Sequence, residues 1–76
     1  SRMFHFVKLD MGLIKDIDKN PSTQALVRST IDYCHENLLL VIAEGVETQE
    51  EYDTVKELGV DFVQGFLLAK PSFHLY

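Results

Sequence analysis

Apolar and polar residues fall into blocks of different period along this chain, and the periods mark the elements. Residues 4–10 are rich in aromatic and β-branched side chains and predict a strand. On the period of two, Phe4, Phe6, Lys8 and Asp10 share one face of it. Residues 11–20 alternate lysine with aspartate and predict a connection, with a short turn of helix over 12–17. Asn20-Pro21-Ser22 then starts a helix: proline suits the first turn, and Asn20 or Ser22 can cap the free N–H groups. Leu26, Val27, Thr30, Ile31 and Cys34 recur at helical spacing, so this helix should run to about His35, with Asn37 ending it.

Residues 38–43 are six apolar residues in a row, and residues 38–44 predict the second strand. A strand apolar on both faces is expected at the centre of a parallel sheet, covered on both sides. Thr48-Gln49-Glu50-Glu51 fits a capping box, in which the Thr48 hydroxyl accepts the Glu51 N–H and Glu51 reaches back. Tyr52, Val55 and Leu58 form the apolar stripe of the helix that follows, and Gly59 stands where a left-handed cap is wanted. Residues 61–68 predict a third strand, interrupted by Gly65 and closed by Lys70-Pro71.

The order β-α-β-α-β places the chain in the α/β class, with a parallel sheet and right-handed crossovers. Three strands alone leave two hydrophobic edges and one layer of helices, which is a liability. The simplest remedy is that the piece belongs to a larger sheet or a closed barrel.

Composition narrows this picture without changing it. A chain of 76 residues, 46% hydrophobic and 25% charged, is globular rather than disordered. A domain of this size buries only about 60% of its unfolded surface, so its stability alone is marginal. The net charge of −5 argues against DNA, RNA or anionic lipid as a general partner. It leaves room for a phosphate ligand if divalent metals stand between the two sets of negative charge. Cys34 is the one cysteine, which excludes an intrachain disulfide and favours a buried thiol. No apolar run reaches the roughly 18 residues of a membrane span and no secretory signal is evident, so a cytoplasmic location is expected. The chain reads as cut from something longer.

Candidate chemistry gathers where strands end. In Ile-Ala-Glu-Gly-Val-Glu-Thr, residues 42–48, Glu44 and Glu47 flank a glycine at the point where the apolar run stops. The carboxyl ends of parallel strands are where α/β sheets place their sites. Lys8 and Asp10 end the first strand, and Gln64 shares the face of Phe62 in the third. Parallel strands would set Lys8, Glu44 and Gln64 side by side, roughly 5 Å apart per strand step. A carboxylate for a divalent ion, an ammonium for a phosphate oxygen or a water, and an orienting amide suit a metal-bridged phosphate. Spacing alone leaves a plainer reading open. Lys8 with Asp10 or Glu44 could be an ion pair, Glu47 a helix-start acid, and Gln64 a partner for a loop carbonyl. His5, His35 and His74 have no metal-ligand spacing. Tyr33, Tyr52 and the phenylalanines are expected in the core or between helices, and the acidic residues 47–53 on a solvated helix face.

Lys8-Leu9-Asp10, Ala43-Glu44-Gly45-Val46-Glu47-Thr48 and Gln64-Gly65-Phe66, in this order and spacing, resemble the C-terminal part of an EAL domain. Leu58-Gly59-Val60-Asp61 and Lys70-Pro71 fit as well, so the resemblance covers nearly the whole chain. It implies a TIM-like (β/α) barrel of which this chain, 1–76, is an incomplete C-terminal part, supplying the last three strands. It implies hydrolysis of cyclic di-GMP to the linear dinucleotide by two-metal, in-line attack of water, with Mg2+ or Mn2+ in the complete domain. On this resemblance Glu44 is the carboxylate that reaches the second metal or its bound water, and Lys8 holds the attacking water or a phosphate oxygen. Glu47 supports the metal-site loop, Gln64 lines the site, and Asp10 has a supporting part. The Glu-Ala-Leu signature, an asparagine, a middle glutamate and an aspartate pair belong to strands preceding this chain and are absent from it. The chain alone is therefore expected to hold no metal tightly and to be inactive. Its expected partners are the missing N-terminal part of the barrel or further copies of itself. The alternative is a non-catalytic cyclic di-GMP receptor or protein-interaction module of the same fold.

Overall fold

In the computed structural model, which describes residues 4–65, helices and parallel strands alternate. The order is β1 (His5–Leu9), α1 (Met11–Ile14), a 3-10 turn (Ile17–Lys19), α2 (Pro21–Glu36), β2 (Leu39–Val46), α3 (Gln49–Leu58) and β3 (Phe62–Gly65). The sheet order is β1-β2-β3, both pairings are parallel, and β2 is central as its apolar run predicts. The expected continuation of β3 over residues 66–68, Lys70-Pro71 and His74 lie outside the described residues.

The helix ends follow their caps. Asn20 Oδ1 accepts the Thr23 N–H at 3.1 Å, with Pro21 in the first position of α2. At the other end the Asn37 N–H donates to the Tyr33 and Cys34 carbonyls, and Leu38, at φ 61°, turns the chain into β2. The Thr48 hydroxyl accepts the Glu51 N–H at 3.0 Å, and Gly59 closes α3 at φ 109°. A left-handed residue costs an L side chain roughly 1–2 kcal/mol, which is why glycine suits that closing position.

Val27, Ile31 and Cys34 of α2 pack with Val41, Ala43, Val46, Val55, Leu58 and Val63 in one core. Cys34 is a free, buried thiol, as expected. The helical stripe is narrower than its sequence pattern suggests. Leu26 and Tyr33, expected inside, are 55% and 65% exposed, because only positions four and three apart from Val27 through Ile31 to Cys34 face the sheet.

Among the described residues, the sheet is covered on one face only. Val41 and Ala43 are fully buried, whereas their neighbours Leu40 and Ile42 are half-buried, so the two-sided cover expected for β2 is not met among the described residues. Successive right-handed crossovers in one direction put every helix on the same side of the sheet. The uncovered face carries Phe4, Phe6, Leu40, Ile42 and Phe62, and the Phe6 and Phe62 rings meet across β2 with centroids 5.7 Å apart. These phenylalanines line an open sheet face rather than the helix-packed core.

A bulge shapes the carboxyl end of β2. Ala43 pairs with Val63, but the next pair is Val46 with Gly65, so β2 holds one residue more than β3 over this stretch. Gly45 supplies the extra residue at φ 77°, and a Cβ there would stand 2.6 Å from Met11 Cγ. The insertion reverses the alternation. Val46 turns into the core with Ala43, leaving Glu44 on the open face.

Candidate functional site

Three strand ends converge on the open face at the carboxyl edge of the sheet. The register sets Lys8 beside Ile42, and Ile42 beside Phe62. Glu44 and Gln64 each follow two residues later, on the same side as Ile42 and Phe62. Lys8 Nζ lies 3.3 Å from Glu44 Oε2, with side chains 62% and 30% exposed. So exposed a pair contributes about 1 kcal/mol or less to stability. What it provides is a fixed cation and a fixed carboxylate, side by side on a solvent-reachable rim. Gln64 is exposed on β3, the edge strand next to Glu44.

The other two expected site residues are placed differently. Asp10 is not on the strand face. It follows β1, and its Oδ2 accepts the Gly12 N–H at 2.9 Å, capping α1. A short acid before a glycine competes for local backbone donors, and this capping outweighs the strand alternation. Glu47 is exposed beyond the bulge, and its backbone N–H rather than its carboxylate makes the recorded contact, donating to Glu51 Oε1 at 2.9 Å.

That acceptor is the group sequence reasoning understated. Glu51, expected on a solvated face, is only 3% exposed, the one buried charged side chain among the described residues. Its Oε2 accepts the Asp16 N–H at 2.8 Å as well. Burial pushes its pKa up, but the Glu47, Asp16 and Thr48 N–H groups and the Lys15 charge outweigh this and hold it below 4.5. A carboxylate with a lowered pKa in the folded state stabilises fully above its unfolded value, and that stability fades as pH falls through the folded value. Thermal unfolding followed by circular dichroism should therefore show midpoints falling as pH drops below about 4.5, with a shallower acid limb in Glu51→Gln. Equal limbs in both proteins would contradict the assignment.

A second unforeseen pair braces the opposite edge. Asp61 Oδ2 accepts the Val41 N–H at 2.7 Å and lies 2.8 Å from His35 Nε2, joining the end of α2 to β2. An acid as the first residue of the predicted third strand was the available signal, but its partner is 26 residues away.

Among the described residues, the open face of the carboxyl edge presents one carboxylate, Glu44. Among the described residues, the group of acids close enough to share a cation is Asp16, Asp18 and Glu51, and Glu44 is not among them. Divalent magnesium, manganese and calcium take six or more ligands, mostly oxygens, so Glu44 fits as one ligand of a shared site and does not make a site alone.

The EAL domain family model matches residues 3–71. The chain is 43% identical over 65 residues to the cyclic di-GMP phosphodiesterase PdeR of Escherichia coli, which spans 86% of this chain and 10% of that protein. Among solved structures, Klebsiella pneumoniae BlrP1 with FMN and cyclic di-GMP superposes with a TM-score of 0.82 at 37% identity, covering 92% of this chain and 18% of BlrP1. A manganese and cyclic di-GMP complex of BlrP1 gives the same TM-score at 38% identity, covering 87% and 17%. The chain thus spans about a tenth of the curated relative and under a fifth of the solved one. With sequence, strand order and superposition in agreement, this chain belongs to the EAL domain family, as a short segment of that TIM-barrel-like domain.

Proposed function

We propose that this chain is the C-terminal part of an EAL domain and contributes one wall of a metal-dependent cyclic di-GMP phosphodiesterase site. The observation that carries this is the Lys8–Glu44 pair, 3.3 Å apart across adjacent parallel strands at the carboxyl edge, in a chain of this family. A divalent cation, manganese or magnesium, would neutralise phosphate charge there and make water more acidic. Glu44 lends it one oxygen. Lys8 holds a phosphate oxygen or the attacking water in place, and Gln64 orients ligand from the neighbouring strand. Glu47 supports the turn that carries Glu44, and Asp10 fixes the start of α1 beside it. The remaining ligands come from preceding strands of the same barrel, which also cover the open sheet face and its edges. In their absence another copy of the chain takes that place. The protein acts in the cytoplasm; among the described residues, no helix is long and apolar enough to cross a membrane.

The test is to splice the chain into an EAL domain in place of its own last segment and follow manganese-dependent formation of linear dinucleotide. Glu44→Gln and Lys8→Met should each lower turnover by about 100-fold, the scale seen when groups at a metal site are removed. Cyclic di-GMP binding without hydrolysis in the unsubstituted splice would favour a receptor and refute the catalytic reading.

A further inference from the structure

We propose that Glu51 is a positioning residue whose carboxylate ties the loop after β1 to the loop after β2 and so sets where Glu44 stands relative to Lys8. The inference rests on the reading of that edge as a metal and phosphodiester site. A helix cap would need less than Glu51 provides. Thr48 already accepts the N–H that α3 offers, and a capping-box glutamate reaches back only to its own cap residue. Glu51 reaches back to the Thr48 N–H and, beyond that, takes the Glu47 N–H with one oxygen and, with the other, the N–H of Asp16, 35 residues earlier.

Both loops lead straight to the site. Lys8 stands near the end of β1, and Asp10, α1 and Asp16 follow it. Glu44 stands near the end of β2, and only Gly45 and the fully buried Val46 separate it from Glu47. The two loops already touch where Met11 packs over Gly45. The Glu51 carboxylate is a second fastening between them, so the rim is held at two points rather than one.

The surroundings show that this fastening is maintained against a cost. Asp16 adopts a left-handed conformation, φ 58° and ψ 25°, which costs an L residue roughly 1–2 kcal/mol. Glu51 also has carboxylate oxygens of Asp16 and Asp18 within 4.8 Å, so it is buried beside like charges. The Lys15 charge and the N–H donors oppose that repulsion, and Lys19 sits 3.9 Å from Asp16. Two backbone donors converging from different loops need an acceptor with two oxygens. An amide offers one acceptor and turns a donor toward the second N–H.

Amide hydrogen exchange by NMR on the chain tests the tie directly. In the unsubstituted chain the Asp16 and Glu47 amides should be protected. In Glu51→Met both should exchange at least about tenfold faster, as a lost bond of about 1.4 kcal/mol implies, while the α2 amides of Val27 and Ile31 stay slow. Glu51→Gln should lose one protection and keep the other, and it serves if the methionine variant does not fold. The Glu44 amide resonance should shift in the same variants. For the site, manganese binding to the spliced domain is measured by calorimetry, and Glu51→Met should weaken it by about tenfold at temperatures where the domain stays folded. Unchanged Asp16 and Glu47 exchange would overturn the tie. Faster exchange with an unmoved Glu44 resonance and unchanged manganese affinity would reduce Glu51 to a helix cap and overturn the positioning role. If the unsubstituted splice binds no manganese, the reading of the edge fails instead, and the exchange rates and the Glu44 resonance still decide whether Glu51 positions it.

Discussion

Incubated alone with cyclic di-GMP and manganese, the 76-residue chain should release no linear dinucleotide above a protein-free control. Among the described residues, the open face of the carboxyl edge brings one carboxylate, Glu44, to a reaction whose cations need several oxygen ligands each. Glu44 is already engaged by Lys8, and the three-acid group of Asp16, Asp18 and Glu51 does not include it. Glu51 there is committed through both oxygens to backbone N–H groups. Enzymes commonly accelerate hydrolysis by about 10⁶-fold or more, and losing most ligands of the catalytic metals removes that gain almost entirely. Chromatography of the nucleotides after prolonged incubation is the measurement. Steady conversion by the pure chain, removed by a chelator, would show that one carboxylate and one lysine suffice, and the shared-site reading would have to be abandoned.

Gly65→Ala should be the most disruptive small substitution in the described chain. A Cβ at Gly65 would meet the Val46 backbone, standing 2.6 Å from its nitrogen and closer still to its carbonyl oxygen. Backbone already held in the β2–β3 ladder cannot step aside as a flexible side chain would. Val46 is fully buried, so moving it also opens the core. A cost of about 3 kcal/mol or more is expected, from overpacking together with loss of the pairing after the bulge. In a domain of this size that lowers the unfolding midpoint by roughly 12–24 °C, readable by calorimetry. Gly12→Ala makes a useful contrast, because its Cβ would meet only the exposed Asp10 carboxylate. Equal midpoints for the two variants would mean that the bulge does not depend on Gly65.

Much of this architecture is legible from local chemistry. Asn20 and Thr48 cap as their side chains require, Gly59 closes α3, and the apolar run of β2 places it centrally. These features depend on residues within a few positions of each other. Most of what sequence reading missed depends on distant partners, and one part on a competing local donor. Asp10 looked like a strand residue until a local donor at Gly12 claimed it. Glu51 is the capping-box acid its sequence predicts, but nothing near it in sequence announces that the Asp16 N–H will arrive as well. His35 and Asp61 meet only once α2 has been laid against the sheet. Phe4, Phe6 and Phe62 were assigned to a core, because a hydrophobic face does not say whether its cover lies in the same chain. At the site, alternation correctly put Lys8, Glu44 and Gln64 on one face, but Glu44 keeps that face beside a core-facing Val46 only because Gly45 inserts a residue.

The uncovered sheet face has a graded chemistry. Glu44 and Gln64 stand at the top, Lys8, Ile42 and Phe62 share the next level, and Phe6 and Leu40 the one beneath, with the two rings tilted together across the central strand. Polar groups occupy the upper two levels, Lys8 alone on the second, and hydrocarbon lies beneath them. Closed into a barrel, such a wall makes a cup with a greasy floor, not a channel. On the proposed function, solvent, ions and nucleotide would enter and leave through one mouth. A hydrolysed product would have to depart by the route its precursor took, so the loops ringing that mouth would meter both.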